Sequence, residues 1–268
     1  AYVHMAMKSI FDPDIPNNDG SAAPIRLTAP EGTVVNCKFP AAVAARMQIG
    51  HFMTEIIYRA LAQALPNRVI AASGGTPATQ TIFYGRRNHQ QPFHTVMIRG
   101  GGLGAGGARD GEGSFIFPAN GANTPVEIFE SDTPLMIDRR ELLIDSGGAG
   151  QQRGALGRRE VFRVPADEYA PQPPVNLGIQ SGRFRLPPDG LFGGRSGACA
   201  QFLVNDQAGN PYGLTRLQPG DVVIMDAAGG GGYGDPAQRD RDQLLRDVRD
   251  GKVSRESALR DYSVEIKD

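Results

Sequence analysis

The sequence has no tryptophan, and only two cysteines and four histidines in 268 residues. Cys37 and Cys199 lie far apart, so they have neither the pattern of a disulfide framework nor the close spacing of metal ligands. We therefore expect two reduced, mostly buried thiols in a cytoplasmic protein. The histidines are His4, His51, His89 and His94. Their spacings do not suit shared ligation, and the sequence predicts no metal ion bound by this chain.

An excess of charge of one sign is also missing. Lysine and arginine total 28 against 29 acidic residues, for a formal net charge of -1. A protein that binds nucleic acid through its backbone would need a basic stripe, so we expect no nucleic-acid partner. No apolar run approaches the ~20 residues that a membrane span requires, and no leader-like segment precedes the first predicted helix. We therefore expect no membrane partner.

Several catalytic and nucleotide-binding motifs are absent from the sequence. It contains no GxxxxGK[ST] phosphate loop, no GxSxG nucleophile turn and no HExxH metal motif. The segment GGGLGAGG at 100–107 has GxGxxG-like spacing after a strand. No amphipathic helix follows it, however, so the context of a dinucleotide site is missing.

Glycine, by contrast, is abundant, with 35 residues. Most of them fall in dense segments at 73–75, 100–113, 146–154, 190–197 and 229–236, with a further Asp-Gly pair at 250–251. Glycine suits tight turns and close approaches of the backbone. We interpret the segments as tight loops on a folded scaffold, where binding residues often lie. The alternative is that they are only the turns of a strand-rich protein.

The pattern of apolar residues predicts a mixed α+β fold. A first helix ends near Asp12, and a longer helix spans 41–65, with a wide apolar face made by Ile49, Phe52, Met53, Ile56, Ile57, Leu61 and Leu65. Short strands are predicted at 25–30, 34–37 and 69–73. From residue 92 onward, strand-like segments follow as FHTVMIRG, GSFIF, VEIFE, LMIDRRELLID, RREVFRV, VNLGIQSG, AQFLVN and DVVIMD.

Two short helices are predicted at the C-terminal end, one over 237–249 and one capped by Ser254. The expected architecture is a strand-rich C-terminal sheet, sandwich or barrel with a long helix in the N-terminal half. We divide the chain into a helix-containing segment, 1–91, and a β-rich unit, 92–268. The first helix has no cap, so the N-terminal segment is expected to continue an upstream region.

The polar residues of 108–130 are the strongest candidates for a binding site. Arg109 and Asp110 close a glycine segment, Asn120 and Asn123 lie beside Gly121 and Pro125, and Glu127 begins a predicted strand. Together with Arg153, which could donate to a carboxylate or phosphate from SGGAGQQRG, they are predicted to bind a polar substrate. The alternative is structural: asparagine side chains often stabilise turns, and Arg153 would then lie on a solvated hairpin connection. No catalytic residue is identified.

Longer motifs bring a family resemblance. PEGTVVNCKFPAAVAARM, IAASGGT, NTPVEIFE, DSGGAGQQRG, LFGGRSG, LQPGDVVIMDAAGGGGYGDP and RDVRDGKVSRESALRDYSV occur in this order. In this order they resemble the C-terminal half of the hydantoinase B/oxoprolinase family over nearly the whole chain. That family includes B-type subunits of N-methylhydantoinase, the second half of 5-oxoprolinase, and subunits of acetone and acetophenone carboxylases. Ala155 stands where family members commonly have glycine.

The resemblance implies an ATP-coupled reaction on a carbonyl compound. The first expectation is hydrolysis of a cyclic amide such as a hydantoin or 5-oxoproline, through phosphorylation of the amide oxygen. The alternatives are carboxylation of a ketone, and a non-catalytic scaffold that docks the A-type subunit.

The resemblance also implies partners and cofactors. ATP and Mg would be bound by an A-type partner subunit. A divalent metal would belong to an N-terminal half, because no His-x-x-Asp segment of the family occurs here. The chain is then a fragment, a processed product or one part of a split subunit, and we expect no activity from it alone.

Overall fold

The computed structural model describes residues 1–87, 91–119, 121–167 and 172–266. Its helices are α1 (Tyr2–Phe11), α2 (Asp19–Ala22), α3 (Arg46–Leu61), α4 (Val126–Asp132), α5 (Arg241–Arg249) and α6 (Arg255–Tyr262). Its strands are β1 (Thr79–Arg86), β2 (Pro92–Arg99), β3 (Met136–Leu142), β4 (Arg158–Arg163), β5 (Val175–Gln180), β6 (Gln201–Val204), β7 (Gln207–Ala208), β8 (Leu214–Leu217) and β9 (Val222–Ala227).

Two antiparallel sheets share one hydrophobic core. The first has the order β2-β1-β5-β8 and the second the order β3-β4-β9-β6-β7. Between them, the rings of Phe83, Phe129 and Phe162 pack with centroids 5.5 to 5.6 Å apart. Each such buried ring contributes roughly 1.5–3 kcal/mol through the apolar area it removes from water. The predicted mixed architecture is confirmed, and neither sheet closes into a barrel within the described ranges.

Helix α3 is shorter than the predicted 41–65 helix, and its buried face differs from the predicted one. It buries Gly50, His51, Thr54 and Tyr58, whereas Ile56 is 55% exposed. Gly50 is needed because a Cβ there would meet the ring of Tyr2 on α1 at 2.1 Å. The close α1–α3 contact therefore selects small and polar residues, and the apolar periodicity misidentified the inner face.

His51 is a buried structural residue of α3. Its Nδ1 accepts a hydrogen bond from the N–H of Ala78 at 3.3 Å, and its ring packs edge-on against Tyr2. Burial lowers the pKa of His51. The imidazole is therefore held neutral, with Nδ1 as the acceptor.

Several predicted strands are not strands. Residues 25–30 and 69–73 lack strand structure, while 34–37 and 113–117 make only isolated bridges. VEIFE forms helix α4, because Pro125 at the N-cap, with φ -56°, leads directly into helical backbone. Strands β1, β7 and β8 were not predicted. The predicted division at 91/92 lies between β1 and β2, which pair over eight residues.

The glycine-rich segments pack against one another in the interior. We call 71–75, 101–106, 146–157, 189–198 and 228–234 the glycine bundle. Residues 228–234 are buried, and their N–H groups donate to different neighbours in turn. The donors repeat every three residues: Gly229 to Ala198 and Gly232 to Arg195, Gly230 to Ala155 and Tyr233 to Gln152. A β-ladder repeats every two residues, so this is a threefold extended backbone.

The bundle needs glycine because main chains approach too closely for side chains. A Cβ on Gly230 would lie 2.0 Å from the carbonyl oxygen of Leu103, and one on Gly74 would lie 1.9 Å from that of Ala228. In both cases the obstacle is backbone, which cannot turn aside. Both sequence interpretations of these segments, as tight loops or as turns, therefore miss their packing.

The C-terminal helices are capped as their sequences predict. The side chain of Asp240 accepts from the N–H of Gln243 at the start of α5, and that of Ser254 accepts from Ser257 at the start of α6. Leu244, Ala258 and Tyr262 pack these helices onto Ala149 of the glycine bundle. The C-terminal end is thus held against the interior.

Two further findings concern the surface. Cys37 and Cys199 are free thiols, but both are exposed, contrary to the expected burial. None of the helices in the described part of the chain is both long enough and apolar enough to cross a membrane.

Candidate functional site

The predicted substrate-binding residues do not converge on one site. Arg109 is exposed and pairs with Glu112 at 3.6 Å. Glu127 is exposed in the first turn of α4 rather than in a strand, where its charge favours the positive end of the helix dipole. Asn120 lies outside the described residues. The other three belong to two separate groups of charges.

Asp110 and Arg153 belong to the first group, which we call the C-terminal ion network, with Arg239 and Asp247. The Asp110 carboxylate accepts from the backbone N–H of Arg153 at 2.6 Å. It also accepts from both terminal nitrogens of Arg239, at 2.9 and 2.7 Å. Asp247 accepts from Arg153 Nε at 3.1 Å and from Arg239 Nη2 at 2.5 Å. The network links a glycine segment to α5.

The charges of this network balance. Burial alone would raise the pKa of Asp110, but the hydrogen bonds and charge of Arg239, with the N–H of Arg153, lower it below its usual value. Burial would lower the pKa of Arg239, and the two aspartates raise it instead. Burial raises the pKa of the neighbouring Tyr262 to about 12. Two cations and two anions satisfy one another, which suits a structural tie.

Asn123 belongs to the second group, which we call the Glu160 cluster. Its Oδ1 accepts from Arg158 Nη1 at 2.7 Å. The Glu160 carboxylate is 1% exposed, with Arg99 Nε and Arg140 Nε each at 2.7 Å and Arg158 Nη2 at 3.4 Å. The Nε groups are poorly aligned for hydrogen bonds. These contacts are therefore ion pairs rather than hydrogen bonds.

Three arginines around one glutamate leave the Glu160 cluster positive. Burial, with the repulsion of Arg158 and Arg140, lowers the pKa of Arg99 to about 10 against the attraction of Glu160. For Glu160, burial acts to raise the pKa, and the three arginines lower it overall. The adjacent cavity holds about 10 Å³, roughly the space of one water molecule. This cluster has no room for a substrate.

A roomier cavity, of about 120 Å³, lies between α3 and segment 189–191. We call it the Glu55 cavity. Its apolar walls are Phe52, Ile56, Ile70 and Leu191. Its polar wall is formed by Glu55 and Arg183. A mainly apolar lining with a few convergent polar groups is the usual composition of a small-molecule site.

Glu55 and Arg183 form an ion pair that the backbone holds in place. One Glu55 oxygen accepts from the N–H of Ser73 at 2.8 Å, and the other pairs with Arg183. Arg183 Nε donates to the carbonyl of Thr76 at 2.8 Å, and its guanidinium lies 5.1 Å from the centroid of the Phe52 ring. Both partners are thereby fixed toward the cavity wall.

Two properties mark this pair as more than a surface contact. Burial raises the pKa of Glu55, although Arg183 and the N–H of Ser73 oppose the change. Arg183 also has a φ of 67°, a left-handed conformation that is costly for a side chain of this kind. Perturbed carboxyls and strained backbone both concentrate at functional sites.

Sequence reasoning missed Glu55 and Arg183. A signal for Glu55 was present, because it is an acidic residue among the apolar residues Phe52, Met53, Ile56 and Ile57 of one helix. Its distant partner could not be found from spacing. Among the described residues, no group of three or more His, Cys, Asp or Glu side chains could hold a metal ion.

Comparisons with known proteins agree on one family. An uncharacterized protein from Methanocaldococcus jannaschii is 37% identical over 272 residues, which cover 99% of this chain and 46% of that protein. The caprolactamase β subunit of Pseudomonas jessenii is 32% identical over 257 residues, covering 88% of this chain and 42% of the subunit. The chain thus spans about half the length of these relatives.

A solved structure shares the fold. The crystal structure of ATP-dependent caprolactamase from Pseudomonas jessenii superposes with a TM-score of 0.85 at 27% identity, over 99% of this chain and 48% of that chain. The model of the hydantoinase B/oxoprolinase family matches residues 1–236. This chain therefore belongs to the hydantoinase B/oxoprolinase family.

Proposed function

We propose that this chain is the C-terminal part of a B-type subunit in an ATP-dependent cyclic amide hydrolase, which opens rings of the hydantoin or 5-oxoproline kind. The observation that carries this proposal is the similarity to a caprolactamase β subunit together with the match to a solved ATP-dependent caprolactamase. The ring that caprolactamase is named for is itself a cyclic amide. The substrate of this chain is proposed by that analogy.

The reaction divides the work between subunits. An A-type partner is proposed to bind ATP and Mg, and a divalent metal, where required, is assigned to the remaining half of the B-type polypeptide. The amide oxygen takes the γ-phosphoryl group and ADP leaves; water then attacks the ring carbon, the C–N bond breaks and phosphate is released. A site of this kind must orient the planar amide and keep bulk water from the phosphorylated intermediate.

Within this function we assign Asp110 and Arg153 a structural role. Their charged groups are occupied by Arg239 and Asp247, so a ligand would have to displace protein partners to reach them. The Glu55 cavity offers space as well as polar groups, and we place the substrate-facing role of this chain there.

The test is reconstitution with an A-type subunit and the remaining half of the B-type polypeptide. ATP hydrolysis is measured with hydantoin, 5-oxoproline or caprolactam, and product by mass spectrometry. We expect phosphate release that depends on the amide and ring-opened product in equal amount, with none from this chain alone. Product from acetone and bicarbonate instead would identify a ketone carboxylase. Assembly without either reaction would leave the scaffold role.

A further inference from the structure

The polar wall of the Glu55 cavity presents a hydrogen-bond acceptor beside a donor. Glu55 supplies carboxylate oxygens, and the guanidinium of Arg183 supplies N–H groups. A ligand that carries an N–H next to a carbonyl on the same edge satisfies both at once. In small rings the amide is forced to be cis, so its N–H and C=O share one edge, whereas open-chain secondary amides are trans.

The remaining walls and the size of the cavity suit the rest of such a ring. Phe52, Ile56, Ile70 and Leu191 provide apolar surface for methylene groups. The volume of about 120 Å³ equals roughly four waters at ~30 Å³ each, which is the scale of a small ring. A second ion pair, Arg59 with Asp189 at 2.6 Å, lies at the exposed rim. The mouth is therefore polar and the interior apolar.

The ion pair is pre-organised for this role. Ser73 and Thr76 fix Glu55 and Arg183 through backbone groups, at 2.8 Å in each case. The left-handed backbone at Arg183, with φ 67°, costs of order 1–3 kcal/mol, so surrounding contacts must hold it. A side chain that served only as a surface partner for Glu55 would not require this conformation.

We propose that the Glu55 cavity binds a small uncharged cis-amide ring, with Glu55 accepting from the ring N–H and Arg183 donating to the ring carbonyl oxygen. That this ring is a substrate, and not only a ligand, rests on the proposed function. The two residues then act in positioning: they fix which edge of the amide faces inward.

The test uses the full 268-residue chain without ATP or a partner, and matched ring ligands. Binding of δ-valerolactam is measured by ligand-observed NMR and compared with δ-valerolactone, which lacks the N–H, and with N-methyl-δ-valerolactam. We expect the lactone and the N-methyl compound to bind about 10-fold or more weakly, because each leaves a buried polar group without its partner. Equal binding of all three ligands overturns the proposal.

Two variants locate the site. Glu55→Gln, checked for folding by circular dichroism, should lose the preference for lactam over lactone. Ile56→Trp should block the cavity without touching the ion pair, and Ile56 is 55% exposed, so this variant should fold even if Glu55→Gln does not. Glu256→Gln on the exposed face of α6 is the control and should bind as the wild type does. Full lactam affinity in Ile56→Trp places the ligand elsewhere and overturns the assignment.

This experiment separates the two proposals. Binding needs no turnover, so an inactive reconstituted complex leaves the cis-amide site standing and removes only the proposed function. Conversely, a complex that opens cyclic amides while this chain shows no lactam selectivity keeps the function and rejects the site.

Discussion

Asp247 holds two arginine side chains at once, although only 6% of its own side chain is exposed. Arg153 and Arg239 approach it from different segments, so the carboxylate joins the glycine bundle to α5. Removing one partner of a buried pair leaves the other charge uncompensated, which costs more than the pair itself contributes.

Asp247→Asn should therefore lower the free energy of unfolding by about 3–5 kcal/mol, because both arginines lose their shared counter-charge. Urea denaturation followed by circular dichroism measures the change. Asp242→Asn, on the exposed first turn of the same helix, is the control and should cost about 0.3–1 kcal/mol through the helix dipole. Equal losses for the two variants would contradict the role assigned to the network.

Asp110 should make stability depend on acid pH. Its pKa is lower in the folded than in the unfolded chain, so its contribution is present above the unfolded value of about 3.9 and is lost as pH falls through the folded value. The difference in unfolding free energy between the wild type and Asp110→Asn should be constant above about pH 5 and shrink below pH 4. Denaturation at pH 7, 5, 4 and 3 tests this, and a difference that grows toward acid would give the opposite sign.

Single residues also show where sequence inference stops. The loop charges Arg109, Asp110 and Arg153 are neighbours in glycine-rich sequence, but Asp110 turns inward to Arg239 while Arg109 stays in solvent. Arg239 lies 129 positions from Asp110, and no local pattern joins them. Residue type predicted that these groups would be paired; only the fold decides with which partner.

At the scale of elements, boundaries follow local chemistry closely where a cap is present. Helix α6 begins at the predicted Ser254, and the preceding helix ends before Gly251, which has a φ of 70°. Helix α4 shows the opposite case: VEIFE alternates like a strand, but Pro125 starts a helix that turns Phe129 into the core. Period-two patterns of five residues are too short to outweigh a helix-starting proline.

Ser254→Ala should destabilise the protein by about 1 kcal/mol, because the N–H of Ser257 loses its acceptor at the start of α6. Ser254→Gly should cost only a few tenths of that unit, since glycine tolerates the cap position. Thermal unfolding of both variants provides the comparison. Losses in the reverse order would mean that the hydroxyl is not the stabilising group.

At the scale of the whole molecule, the exposed surface is larger than expected. Its area is 14572 Å², against about 11,000 Å² for a compact chain of 28.6 kDa. Much of the exposed apolar surface belongs to residues 11–43, where Phe39 is 98% and Val34 is 70% exposed. Stable interfaces bury about 1,200–2,000 Å², so this surface supports the proposed assembly with partner polypeptides.

The glycine bundle sets the tolerance of the molecule to substitution. Gly230→Ala should destabilise by at least ~3 kcal/mol or prevent folding, because the new methyl group would meet the Leu103 carbonyl at 2.0 Å. Gly178→Ala in β5 is the matched control, since its methyl group would find only Ile82 nearby, at 4.0 Å. Soluble yield and urea midpoint of the two variants are compared. A Gly230→Ala protein as stable as the control would show that the bundle can expand.

The same bundle bears on how stability responds to temperature. Unfolding a core of side chains exposes apolar surface and raises the heat capacity, whereas exposing peptide groups lowers it. Residues 228–234 and their neighbours bury hydrogen-bonded backbone in place of side chains. This part of the interior therefore adds little curvature to the stability curve, and the folded state gains a margin against cold as well as heat that its apolar content alone would not supply.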